Sequence, residues 1–236
     1  SGFVKKYSVV FISRSGKASE PFYFFTRYDR NSVAQTWQVL RSEFDQILMD
    51  NARSKGATIL EEITVKELLR EGGRVVGVKA QTKAGAVVEF RAPITLDCSG
   101  KEAFTSVRNG WRMKDPYLNK IAVWTYYKGS KREPGIDEGA TTVAYVPERG
   151  WFWYIPLKND IVSVGIVAER DYLFSESRDP ATIFAREIER NAWIKDHLSI
   201  GEQFGEYLVT SEFSYRSRFC AADGLVLAGD AFAFLD

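Results

Sequence analysis

Apolar and polar positions alternate, cluster and break along this chain in ways that predict most of its elements. Ser8 to Ile12 and Pro21 to Phe25 read as two short strands around the turn Ser13-Arg14-Ser15-Gly16-Lys17. Five aromatics between Phe22 and Tyr28 imply a surface that packs on protein or ligand, core packing being the simpler reading. Phe44, Ile47, Leu48 and Ala52 then recur at helical intervals until Gly56, and Ser42-x-x-Asp45 has capping-box spacing at the start. Ala57 to Val65 reads as a strand, followed by a hairpin of Arg74 to Gln81 with Ala86 to Phe90. From Asn119 the pattern becomes strand-rich: Ile121 to Tyr127, Thr141 to Val146, Trp151 to Leu157 and Ile161 to Val167 form an antiparallel sheet. Asp179-Pro180 opens a helix whose buried side carries Ile183, Phe184 and Ile188.

In the Gly150–Pro156 stretch, alternation places Trp151, Trp153 and Ile155 on one face and Phe152 and Tyr154 on the other, so both faces need cover. Pro156 ends that strand or lies on an edge. In the neighbouring strand Ser163 and Gly165 leave room beside the indoles that could admit an aromatic ligand, although core packing is the preferred reading for most of these side chains, with the indoles shaping the site instead of reacting.

Two apolar strands end in the same chemistry. Ile94 to Leu96 runs into Asp97-Cys98-Ser99-Gly100, and Leu225 to Ala228 runs into Gly229-Asp230. Ligands sit at such strand ends. Glycine lets a backbone approach a bound group, and a carboxylate accepts hydrogen bonds from sugar-like hydroxyls. An ordinary strand-to-turn Gly-Asp is the plain alternative for either one alone. Two in one chain suit a dinucleotide lying across strand ends. Ser106 and Arg108 add a hydroxyl and a cation downstream, and Gln38 and Arg41 stand at the entrance to the first helix, where they suit phosphate or ribityl oxygens or simply face solvent.

Composition narrows the rest. The chain has 236 residues, 45% hydrophobic, enough to bury a sizeable core. Lys and Arg number 32 against 31 Asp and Glu, a balance that gives no reason to expect nucleic acid or an anionic membrane. Cys98 and Cys220 lie far apart and His197 is the one histidine, so neither a disulfide framework nor a metal site is expected. No apolar run approaches the ~20 residues of a membrane span, and Ser1 to Tyr7 lacks the apolar core of a signal peptide. A cytoplasmic location is the expectation.

Taken in order, Gln38-Val39-x-Arg41-x-x-Phe44-Asp45, Asp97-Cys98-Ser99-Gly100, Trp151-x-Trp153-x-Ile155-Pro156 and Gly229-Asp230-Ala231 resemble the FAD-dependent halogenases of the flavin monooxygenase superfamily. The first, second and fourth are shared with many flavin monooxygenases, whereas the Trp-x-Trp-x-Ile-Pro element is specific to halogenases. Its strand context looks most like those acting on phenols or pyrroles.

The resemblance implies an α/β fold with α+β elements: a flavin monooxygenase-like FAD-binding core and an antiparallel substrate-side sheet. Residues 1–118 would form part of the FAD-binding region, 119–215 the substrate-side sheet, and 216–236 a return to the FAD region. FAD would be held by Gln38, Arg41, Val65, Asp97, Gly100, Gly229 and Asp230, with Asp230 on the ribityl chain and Val65 near the adenine through its backbone. Trp151, Trp153, Ile155 and Pro156 would shape the flavin site and separate oxidant from substrate. The implied activity uses reduced flavin, O2 and halide to make hypohalous acid, which halogenates a small aromatic substrate, free or tethered to a carrier protein. A separate flavin reductase would be a partner. An aromatic hydroxylase or flavin reductase of the same fold is the alternative, and a non-catalytic ligand-binding domain another.

Two departures from the family accompany the match. Its N-terminal Gly-x-Gly-x-x-Gly and the lysine motif after it do not occur in the chain, and Asp236 precedes its Pro and Ser-Gly turn. The chain reads as an internal piece of a longer protein, inactive alone, with no lysine assigned the catalytic role.

Overall fold

A computed structural model describes residues 2–26, 34–115, 117–146, 150–211 and 214–234. The chain divides into two compact units, Ser1–Leu48 with Lys120–Ser211 and Met49–Asn119 with Glu212–Asp236.

The first unit is built on a seven-stranded sheet. Its strands lie in the spatial order Glu202–Ser211, Lys120–Lys128, Ile161–Glu169, Gly150–Pro156, Thr141–Val146, Ser8–Ile12 and Phe22–Tyr23. Neighbours run antiparallel except Ser8–Ile12, which pairs parallel with Thr141–Val146 through Val9 to Thr141 and Ile12 to Ala144. That pairing carries the N-terminal segment into this sheet. Local hairpin pattern could not show a partner more than a hundred residues away.

The alternation in Gly150–Pro156 is realised as expected. Phe152 and Tyr154 join Val162, Val164 and Ile166 in the core, packed against Ile183, Phe184 and Ile194 of the helices Pro180–Glu189 and Ala192–Leu198. Phe152 meets Phe184 edge-on at 5.9 Å. Asp179 caps the first of these helices by accepting from the Thr182 backbone N–H, with Pro180 at its first position.

The second unit holds three small sheets. Ile63–Glu71, Arg74–Thr82 and Val87–Arg91 make an antiparallel meander. Thr95–Asp97 runs parallel to Leu225–Leu227, which also pairs with Ala221–Ala222. Arg112–Lys114, Tyr215–Ser217 and Ala233–Phe234 form the third. Val75, Leu225 and Leu227 form the core here, with Leu68, Trp111 and Phe232 against it.

Several expected details shift. Ala57 to Val65 is not a strand throughout; pairing begins at Ile63, after Glu62 takes a left-handed φ of +57°. The first helix spans Arg41–Ser54, and the Leu40 carbonyl already accepts from the backbones of Glu43 and Phe44. Leu40 is therefore the cap residue and Ser42 lies inside the first turn, which removes the capping box. Ile47 and Leu48 of that helix are about half exposed. Among the early aromatics, Tyr23 stacks on Phe25 at 4.9 Å, while Tyr28 lies outside the described residues.

Candidate functional site

The second unit brings its two strand ends together. Parallel pairing sets Leu227 beside Asp97, and the Ala228 N–H donates to the Asp97 carbonyl at 2.9 Å. Each strand then enters a single 3-10 turn, Gly100–Glu102 and Gly229–Ala231. The leading glycines adopt φ of +62° and +59°, and no heavy atom lies within 4 Å of where a Cβ would stand on either. A side chain would be strained at both positions. The open space beside both backbones admits the close approach of a ligand.

The two carboxylates at these ends have different surroundings. Asp97 is buried, its Oδ1 accepting from the Ser99 N–H at 2.9 Å and its Oδ2 from the Thr105 N–H at 2.8 Å. Burial pushes its carboxyl pKa up, but the hydrogen bonds from Ser99 and Thr105 together outweigh burial and hold it below the usual carboxylate range. This carboxylate fixes the turn that Gly100 opens. Asp230, in contrast, is exposed, and its carboxylate takes no hydrogen bond from a described residue. Its carbonyl accepts from the buried Tyr215 hydroxyl at 2.6 Å, which pins the backbone and leaves the carboxylate for a ligand.

Val65 faces a cleft of about 260 Å³ shared with Leu68, Leu96, Asp97, Cys98 and Phe104. The hydroxyls of Thr105 and Ser106, both fully buried, have no hydrogen-bond partner among the described residues. Buried hydroxyls without partners are costly. The Arg108 guanidinium lies 4.7 Å over the Phe104 ring, close to these groups in sequence. Two open glycine turns side by side offer backbone donors to phosphate oxygens, and one uncommitted carboxylate offers an acceptor to the ribityl hydroxyls of FAD. The residues present fit the group.

Gln38 and Arg41 belong to the other unit. Gln38 is buried, and its amide nitrogen donates to the Gly139 carbonyl and to Thr141 Oγ1, both at 2.9 Å, which ties the Thr36–Gln38 strand to that segment. Its two amide donors are therefore occupied. Arg41 is exposed and pairs with Asp45 one helical turn on, at 3.1 Å.

Trp151, Trp153, Ile155 and Pro156 lie on the Gly150–Pro156 strand, Pro156 being its last residue. Trp153 lies opposite Gly165, which lies opposite Trp124 on its other side. A Cβ on Gly165 would come within 2.3 Å of the Trp153 ring and 2.5 Å of the Trp124 Cβ. The room that Gly165 leaves is thus filled by the neighbouring indole and not by a ligand. The Trp153 N–H donates to Ser163 Oγ at 3.2 Å, and the indoles of Trp151 and Trp124 stand 6.1 and 6.3 Å from that of Trp153. Together they form a row of tilted rings on the face opposite the helices.

Two residues escaped the sequence reading. Tyr215 is one, since a hydroxyl that grips a backbone carbonyl 15 positions away leaves no local signal. Lys6 is the other. Its ammonium lies half-buried, 5.8 Å over the Phe24 ring, and burial lowers its pKa from the ordinary lysine value. A desolvated lysine keeps more of its nucleophilic amine form.

Known proteins give this arrangement a context. Residues 11–235 match the family model described as tryptophan halogenase. A 1H-pyrrole-2-carbonyl-[peptidyl-carrier protein] brominase of Pseudoalteromonas luteoviolacea is 32% identical, over 86% of this chain and 50% of its own length. A tryptophan 2-halogenase of Chondromyces crocatus is also 32% identical, over 89% of this chain and 40% of its own. The chain thus spans about half the length of these curated relatives or less. Among solved structures, a myxobacterial chondrochloren halogenase, described as a variant of FAD-dependent halogenases, superposes with a TM-score of 0.92 at 29% identity, covering all of this chain and 55% of that one. The mixed α/β fold expected from the sequence is that of these enzymes. With nearly its whole length inside the family model, the chain belongs to the tryptophan halogenase family.

Proposed function

We propose that the complete protein is an FAD-dependent halogenase acting on a small aromatic substrate, and that this chain supplies part of its FAD site and one wall of its substrate side. The observation that carries the cofactor half is the convergence of the Gly100 and Gly229 turns beside an uncommitted Asp230 carboxylate. The halogenase half rests on the Trp-x-Trp-x-Ile-Pro strand, whose indoles line the sheet face away from the helices, and on relatives named as a pyrrolyl-carrier brominase and a tryptophan halogenase. Those names support an electron-rich ring, free or carrier-bound, as the substrate class. Halide and a separate reductase complete the reading.

When bound and reduced, FAD supplies with O2 the two-electron oxidation that turns halide into hypohalous acid. The chain's own residues bind and orient. Gly100 and Gly229 admit the cofactor to the backbone, and Asp230 accepts from its ribityl hydroxyls. Asp97 keeps the Gly100 turn in shape. Trp151 and Trp153 exclude water and bulky rings from the oxidising centre, and Lys6 offers an amine to the electrophilic halogen.

The test replaces both indoles in the complete enzyme. With reduced FAD, O2 and chloride, Trp151→Ala/Trp153→Ala should yield less halogenated product for each hydrogen peroxide released. Trp153 is packed against Trp124 and Gly165, so the milder Trp151→Phe serves where the double variant does not fold. An unchanged ratio of product to peroxide in folded variants would remove the reason for preferring halogenase over hydroxylase.

A further inference from the structure

An open cleft of about 470 Å³ lies on the aromatic face of the seven-stranded sheet. Its walls are Phe11, Val143, Tyr145 and Trp151, and its polar end is the ion pair of Lys120 and Glu169. Register explains why these side chains meet. Val143 lies beside Phe11, Tyr145 beside Trp151, and Lys120 beside Glu169 on adjacent strands, all on one face of the pleat. Gly150 also borders the cleft, and no side chain fits at that position, since a Cβ there would strike the Val167 carbonyl at 1.8 Å.

The chemistry of the cleft is unequal along its length. Flat rings and a branched side chain bind an aromatic face chiefly by area, and the charged contacts are confined to the Lys120–Glu169 end. At the polar end the Lys120 ammonium spends one proton on Glu169 at 2.6 Å and keeps two for an acceptor. The second Glu169 oxygen can accept from a donor. Lys120 is largely covered, its side chain 21% exposed, so an unmatched group placed against it would lose water without compensation.

Resting on the proposed function, we infer that this cleft is the substrate subsite for a small aromatic ring bearing a hydroxyl, the hydroxyl seated between the Lys120 ammonium and the Glu169 carboxylate. A phenolic O–H donates to Glu169 and accepts from Lys120 at one atom. An aryl ether can accept but not donate, and a plain arene can do neither. The cleft therefore selects hydroxyarenes over their ethers. Its size suits one small ring system, since small-molecule pockets start at ~300 Å³.

Calorimetric titration of the complete protein without flavin tests this, with resorcinol and 1,3-dimethoxybenzene as probes. Resorcinol should bind at least about tenfold more tightly than its ether, the effect of one lost hydrogen bond to a charged group. Lys120→Met and Glu169→Gln should each remove that preference, and Tyr145→Ala should weaken both probes together. Equal binding of the two probes, a preference that survives both polar variants, or no binding because another part of the polypeptide covers the cleft would each overturn the inference. Halogenation of a diffusible 1,3-diketone by the same enzyme separates this from the reading beneath it. Diketone halogenated without resorcinol selectivity defeats the subsite alone, whereas the full binding pattern without any halide-dependent product defeats the halogenase and leaves the subsite standing.

Discussion

Lys6 and Asp97 show how differently one position can be held. Burial disfavours the charged form of Lys6, so its folded pKa lies below its unfolded one. Between those two values the unfolded chain binds more protons, and stability rises with pH; below the folded value the desolvation cost is present in full. Lys6→Met should therefore raise the melting temperature at pH 7 while abolishing halogenated product. A variant that is less stable, or that keeps its product yield, would show that the lysine is structural. Asp97 runs the other way. Its depressed pKa contributes stability that is present above the unfolded carboxyl value and is lost as pH falls through the folded one. Asp97→Asn should cost about 1–3 kcal/mol at pH 7 and flatten the acid limb of a denaturation series, read by chemical unfolding at several pH values. That Asp97 mattered was legible as a strand-end carboxylate. That its oxygens serve the Ser99 and Thr105 backbones was not, because the turn carrying Thr105 back onto it depends on the left-handed Ala103.

At the scale of elements, the strand pattern was legible wherever alternation had to satisfy two different faces. Gly150–Pro156, Ile161–Glu169 and Thr141–Val146 fall within a residue or two of their expected bounds. Position in the sheet was less so. Gly165 read as space for a ligand, yet space on a sheet face is decided by the neighbouring strand, and the register puts Trp153 over it. Gly165→Ala should cost about 1–3 kcal/mol, as overpacking does elsewhere, and should displace the Trp153 ring. A change in near-ultraviolet circular dichroism would report the displaced indole. An alanine variant with wild-type stability and an unaltered spectrum would mean that the indole is not wedged there. The first helix taught the converse lesson: Ser42-x-x-Asp45 has the spacing of a capping box, but the Leu40 carbonyl begins the ladder and Asp45 pairs with Arg41 instead.

The whole molecule contains two cores of unequal size. The sheet and helices of the first unit enclose a long series of fully buried side chains, from Ile12 to Ile194, whereas Val75, Leu225 and Leu227 carry the second with three partly covered neighbours. The unit with the smaller core is the one that presents the Gly100 and Gly229 turns. Local opening costs least where buried apolar surface is smallest, so amides of residues 95–108 and 224–234 should exchange faster than those of 150–169. A ligand that binds only the closed form slows that exchange in proportion to its occupancy. In the complete protein, adding FAD should therefore raise protection at 95–108 and 224–234, and Asp230→Ala should abolish most of that gain without changing the exchange of the ligand-free protein. The Asp230 carboxylate takes no hydrogen bond from a described residue, and its carbonyl keeps the Tyr215 hydroxyl in the alanine variant, which is why the loss should be silent until FAD is present. Hydrogen exchange followed by mass spectrometry reads both effects at once. Protection confined to other segments on FAD addition, or a full gain in the Asp230 variant, would move the cofactor away from these strand ends.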